Sequence, residues 1–234
     1  ENGTSTAKGA AVTFTGANTY TGTTYINNHA TLQLGNGGTT GSLASGSNIA
    51  IGYGATLKSN RSDDVTLANY IYNNGSHGVS YDSGRWQNNV IQAGTGTTTL
   101  SNASNNWRGT ATINEGTLKF TGAVGNSENY IINNGKSLLF DSNSNQDFNN
   151  LSGTGTFTKS GTGTLTLNDS RNGTYTGATT IDSGATLQLN YGALGGDITN
   201  NGTLFFNNPQ TINYAGVISG TGALRQDSGA LYLK

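Results

Sequence analysis

Cysteine and methionine are both missing from the 234 residues, and proline occurs once, at Pro209. Without thiols there can be no thiol nucleophile and no thiolate metal site. An oxidising compartment permits disulfides but does not require them, so the absence of cysteine is compatible with one. Charge is scarce too: charged residues are 10% of the chain and the formal net charge is −1. The 11 Lys and Arg form no run, and a polyanion site needs clustered cations to displace counterions. Nucleic acid is therefore not an expected partner. No stretch approaches the ~18 apolar residues of a membrane helix. Hydrophobic residues reach only 32%, but disorder pairs low hydrophobicity with high net charge or much proline, and neither is present. Glu1 opens directly in polar sequence, which predicts a mature chain or an excised piece of a longer protein.

What fills the chain is glycine, 36 in all, with Thr, Ser and Asn around regularly spaced Ile and Leu. That mixture suits short strands joined by many tight turns. The turns recur. An aromatic-x-Gly-x3-Ile segment followed by Leu occurs at Tyr20-Gly22-Ile26-Leu32, at Trp107-Gly109-Ile113-Leu118 and at Tyr175-Gly177-Ile181-Leu187. Further echoes are Ile132 to Leu138 against Ile198 to Leu204, and Leu151-Ser-Gly-Thr-Gly-Thr-Phe157 against Ile218-Ser-Gly-Thr-Gly-Ala-Leu224. The offsets from Ile113 to Ile181, from Ile132 to Ile198 and from Leu151 to Ile218 agree with one another to within a position or two. They define a unit of about 67 residues with three similar segments, roughly 22 residues per segment, which is a solenoid period. Leu32-Gln-Leu34, Leu165-Thr-Leu167 and Leu187-Gln-Leu189 alternate as half-buried strands do. One such coil cannot bury its own apolar face; stacked coils can. The expected fold is all-β: a right-handed, single-stranded parallel β-helix of about ten coils, roughly 50 Å long, forming one domain over residues 1–234. Paired asparagines such as Asn133-Asn134 and Asn200-Asn201 predict turns and amide hydrogen bonds stacked between coils. Tyr191, Phe205 and Tyr214 are expected to cover strands or fill the apolar column.

At these residues the chain resembles the autotransporter-associated β-strand repeat, also called the passenger-associated transport repeat. The resemblance is strongest from Val12 through Tyr20 and Ile26 to Leu34, and from Gly161 through Tyr175 and Ile181 to Leu189. The middle copy departs, with Trp107 and Arg108 where the others have Tyr and Thr. The resemblance implies a β-helical passenger of a Gram-negative bacterium, exported through the outer membrane by a C-terminal β-barrel translocator of the same precursor. The expected location is secreted or at the outer-membrane surface. Such passengers include adhesins, aggregation factors, toxins and soluble effectors of host cells. No catalytic residue carries over, because the repeat has none.

Chemistry is sparse. A polysaccharide-cleaving β-helix needs carboxylates gathered in one cleft. Asp63-Asp64 is the one adjacent pair, and neighbours on a strand point to opposite faces, so a solvated turn is expected there. Asp141 and Asp147 flank an Asn/Ser-rich turn and read the same way. His29 stands where the third copy has Gly184 and reads as a turn residue. No cofactor and no metal are expected. The repeat pattern fails from Asn73 to Ala93, where about 13 residues are extra to the period. Loops that leave a solenoid often carry binding, and Tyr, Trp and Arg dominate recognition hot spots. The candidate contact residues are therefore Tyr70, Tyr72, His77, Tyr81, Arg85 and Trp86, in an irregular stretch near 70–93. The alternative there is a longer turn whose aromatics pack on the wall. Three functions follow: a non-enzymatic passenger that binds a host cell-surface protein or glycan, a structural spacer, or a polysaccharide-degrading enzyme. Exposed strand edges at the ends of a stack would also permit self-association.

Overall fold

The computed structural model describes residues 9–74, 88–168, 174–191 and 194–234, with the backbone alone at 126–128. Every strand pairing among these residues is parallel. No helix occurs among them. The chain is a parallel β-solenoid of about ten turns.

Each turn visits three faces. The first face begins at Ala11–Phe14, Thr31–Leu34 and Thr56–Ser59 and continues through Asn89–Gln92, Arg108–Ile113 and Asn126–Ile132 to Asn150–Gly153. Ile212–Tyr214 and Leu231–Leu233 resume it in the last turns. The second face runs from Val65–Leu67 to Ile218–Ser219 in eight strands. The third starts with Thr24–Ile26, Ile49–Ile51 and Ile71–Asn73, and resumes as five strands from Gln146–Phe148 to Ala223–Ser228. Register partners such as Thr117 with Ser137 and Thr203 with Ala223 set the usual length of a turn. Thr31 with Thr56 is a longer step and Thr186 with Thr203 a shorter one. The exception is Thr56 with Asn89, a step more than half as long again as the usual one. The extra residues thus fall where the sequence pattern fails, but the chain is back in register at Asn89–Gln92, before Ala93.

A turn of roughly 20 residues, the short end of solenoid repeats, changes the meaning of the longer period. That period is three turns and one face. Ile26 ends a third-face strand and Leu32 lies on the first face; Ile113 is on the first and Leu118 on the second; Ile181 is on the second and Leu187 on the third. Each copy of the motif therefore folds a different corner. The unit is a strand, a tight turn and a second strand, and it does not distinguish one face from another. His29, with φ 61°, and Gly184, with φ 80°, make the same left-handed turn in two of the copies, as the sequence predicts.

The interior is one apolar column from Ile26 to Tyr214. Its middle is aromatic. Trp107, Phe120, Tyr130, Phe140, Phe148, Phe157 and Tyr175 follow one another with ring centroids 5.1–6.5 Å apart. A cation interrupts this column. Lys159 is 1% exposed and stands in register between Phe140 and Ile181. Its ammonium donates to the carbonyls of Gly161 (2.9 Å), Ser142 (3.4 Å) and Ser160. Burial lowers its pKa, opposed by the charges of Asp141 and Asp182. Gln92 caps its own corner in the same way, through Gly94 and Gly96. Amide ladders stitch the turns outside, as at Asn133 to Asn114 (2.8 Å) and Asn190 to Asn168 (2.7 Å).

At Tyr175 and at Tyr214 the aromatic-x-Gly pair has a geometric cause. The Tyr175 hydroxyl reaches the carbonyls of Gly155 (2.9 Å) and Ala178 (2.8 Å), and the Tyr214 hydroxyl donates to Gly196. Burial pushes the Tyr175 phenol well up, and burial with the nearby Asp197 pushes Tyr214 up to about 12. An unfolded tyrosine ionises near 10, so above that pH the unfolded chain loses protons that the folded chain keeps. The stability these two residues contribute is complete below pH 10 and is lost as pH climbs from 10, through about 12 for Tyr214 and higher still for Tyr175. Melting temperatures measured from pH 8 to 12 are expected to fall steeply over that window. The fall should be shallower in a Tyr175→Phe, Tyr214→Phe double variant; an unchanged slope would mean other groups drive it.

Candidate functional site

The third face carries a group of aromatic residues that stand out of the wall. Tyr25, Ala50 and Tyr72 are in register on three successive turns, so the two tyrosines are anchored about 10 Å apart. Tyr25 is 61% exposed, while Ala50 between them is 0% exposed, covered from outside. The Tyr72 hydroxyl shares a hydrogen bond with Thr23, and its pKa is raised, first by burial and then by Tyr25 and Tyr70. Tyr70, two residues before Tyr72 and hence on the same side, stacks on it with centroids 4.9 Å apart and planes 17° from parallel. Tyr20 adds another exposed ring nearby, its hydroxyl 2.7 Å from that of Thr24.

Of the predicted contact residues, the structure brings Tyr70 and Tyr72 together in this patch. His77, Tyr81, Arg85 and Trp86 lie outside the described residues. Tyr25 is not among the residues that the sequence singles out. Its signal is the alignment of Tyr25 with Tyr72, which becomes visible only once the register is known.

Next to the patch the third face is interrupted. Tyr72 bridges to Asn106 on the following turn, but among the described residues no strand forms on this face there or on the turn after, before Gln146–Phe148. A cleft of about 400 Å³ opens at the gap, walled by the 103–106, 121–125 and 142–147 segments. Two amides fix its walls. Asn105 Oδ1 accepts from the Ile71 N–H (3.0 Å) and its Nδ2 donates to the Ala123 carbonyl (3.4 Å). Gln146 Oε1 accepts from the Val124 N–H (2.7 Å), and its Nε2 donates to Gly122 O and Ser142 Oγ, both at 2.9 Å. Asp147, expected as a plain turn residue, lines this cleft. No local pattern announces the cleft, because it is assembled from three successive turns that only the stacking brings together.

Asp63, Asp64 and Asp141 each have a structural partner. Arg61 holds Asp63 through two bonds of 2.9 and 2.7 Å and also donates to the carbonyls of Gly41 and Thr39. That hydrogen bonding holds the Asp63 carboxyl below its usual range. Asp64 accepts from the Thr97 N–H at 2.8 Å, and Asp141 pairs with Lys119 at 2.8 Å. No group of three His, Cys, Asp or Glu gathers among the described residues. Of the three further aromatics expected to cover strands or fill the column, Tyr214 fills the column and Phe205 lies under the Arg225 guanidinium at 4.3 Å. Tyr191 is outside the column and half exposed.

The fold is a repeat-built parallel β-solenoid. The passenger-associated-transport-repeat family model matches residues 9–34, 90–120 and 157–189. These three segments match passenger-associated-transport repeats, and repeats and solenoid together fit the passenger of an autotransporter. That family implies an extracellular or outer-membrane surface location. Comparison with curated proteins and with solved structures gives no match.

Proposed function

We propose that this chain is a non-enzymatic segment of an autotransporter passenger that binds a host cell surface, as an adhesin or a released ligand, through its third face. The observation that carries the reading is the tyrosine patch. Tyr25, Tyr70 and Tyr72 stand together on the outer wall, beside the start of the long step from Thr56 to Asn89. Tyrosine supplies large contact area with a polar tip at low entropic cost, which is why it is enriched at recognition sites. The partner is a host protein or glycan. The translocator barrel of the same precursor and a second rod of the same kind are further partners of this reading.

The test is saturable binding of the labelled chain to cultured animal cells. Changing Tyr25, Tyr70 and Tyr72 to Ala together is expected to weaken binding by about 100-fold, the loss of two or more hot-spot residues, with the far-ultraviolet spectrum retained. A second variant with Tyr81, Arg85 and Trp86 changed to Ala tests the adjoining stretch. A native chain that shows no saturable binding would support the spacer reading instead.

A further inference from the structure

We infer that the third face takes a neutral oligosaccharide, one sugar ring seated in the cleft between Thr121 and Asp147 and the next lying on Tyr72 and Tyr70. The inference rests on the reading of this face as a binding face and adds the chemistry of its ligand.

Three observations lead to it. The first is continuity. Asn106, on the cleft wall, is the register partner of Tyr72, so cleft and stacked tyrosines lie one rung apart, about 4.8 Å. A pyranose has apolar C–H faces that cover an aromatic ring and a rim of hydroxyls that need polar partners. An aromatic platform beside a polar cleft matches both halves.

The second is the lining. Among the described residues no Lys, Arg or His borders the cleft, and Asp147 is its one carboxylate. An anionic sugar would meet repulsion and no compensating cation. A metal ion would find no set of three ionisable ligands among the described residues. What the cleft offers is the Asp147 carboxylate, the hydroxyls of Thr121 and Ser144, and the Nδ2 of Asn145, whose Oδ1 is already held by the Thr164 N–H at 2.8 Å. A carboxylate accepts from two vicinal hydroxyls at once, and an amide nitrogen donates to a third.

The third is preorganisation. Gln146 and Asn105 spend their polar atoms on the backbone of neighbouring turns, so the walls are set before a ligand arrives. At about 400 Å³ the space falls in the range of small-ligand sites and suits one ring or two.

The cleft also has its own reporter. Trp107 is fully buried, and a methyl group built on Gly125, which lines the cleft, would stand 2.9 Å from its indole nitrogen. The chain has 2 tryptophans, so Trp107 is read alone in a Trp86→Phe background whose glycan retention is first matched against the native chain.

The experiment exposes the chain to immobilised neutral oligosaccharides, with sialylated and sulfated ones as a separate arm. The glycans retained are then titrated against Trp107 fluorescence. Retention on neutral glycans is expected, weakened about 10-fold by Asp147→Asn, by Asn145→Ala and by Tyr72→Ala, each the loss of one good contact. Asp147 and Asn145 are exposed, so these two variants leave the core untouched. Retention on acidic glycans alone would overturn the inference, as would no retention, loss on adding a chelator, or affinity indifferent to both cleft variants. Cell binding that depends on the tyrosines, in a chain that ignores neutral glycans, would remove the inference and leave the proposed function standing. Glycan binding through the cleft without cell binding would do the reverse.

Discussion

Tyr130→Ala is expected to cost about 4 kcal/mol, among the largest losses available to a single substitution in this chain. Tyr130 is fully buried, and four rings surround it edge-on: Trp107, Phe120, Phe140 and Phe148, at 5.4–6.5 Å. Its hydroxyl donates to the Val124 carbonyl at 2.7 Å. Truncation leaves a ring-sized void in the column and a buried carbonyl without its donor. Parallel turns above and below are held by their own hydrogen bonds, so the void cannot close by local collapse. In a stacked array each turn contacts only its neighbours, and weakening one rung uncouples the two halves. Denaturant unfolding of the variant should therefore shift and broaden, or split into two steps. Tyr130→Phe keeps the ring and should cost about 1 kcal/mol, the worth of the hydrogen bond. A loss below about 1 kcal/mol for Tyr130→Ala would show that the aromatic rungs do not act as one core.

The second large effect comes from the smallest side-chain change. Gly177→Ala is expected to lose about 3 kcal/mol by overpacking. A Cβ at Gly177 would lie 1.8 Å from the carbonyl oxygen of Gly155 on the turn below. The obstacle is backbone, so no side chain can swing aside and the turns must part. Gly196 repeats the arrangement, its Cβ 2.0 Å from the Gly177 carbonyl. Gly184→Ala makes the control. Gly184 has φ 80° and nothing within 4 Å of its would-be Cβ, so only the left-handed backbone opposes alanine, at about 1 kcal/mol. Thermal or denaturant unfolding of the two variants should separate them clearly. Equal losses would contradict the close approach at Gly177.

The contrast explains what can be read in advance. Alternation at Leu32-Gln-Leu34 and Leu187-Gln-Leu189 predicts the strands, and both bury their leucines. The recurrent aromatic-x-Gly predicts turns in a solenoid, and Gly177 and Tyr175 show why the pair travels together. These are local rules, repeated often enough to be counted. The count alone does not yield the turn: the long period divides into three segments on paper and into three turns and a face in space. No local pattern marks Lys159 for the interior, and its burial follows from the carbonyls of its corner. Of the third face, the sequence offers Tyr70 and Tyr72 because they border the place where the pattern breaks. It cannot offer Tyr25, Asn105, Gln146 or Asp147, because their grouping depends on which residues stack across turns. Register is a long-range property, set by turn lengths summed along the chain.

That each copy of the motif folds a different corner has a consequence for what such a rod can display. One unit advances the stack by about 16 Å and turns the pattern through a third of a circle. A loop inserted at the same motif position in successive units would point in three compass directions before returning above the first. A rod built this way has no blank side. Lengthening it unit by unit changes the bearing as well as the reach of whatever it holds out, like the treads of a spiral stair with three steps to the storey.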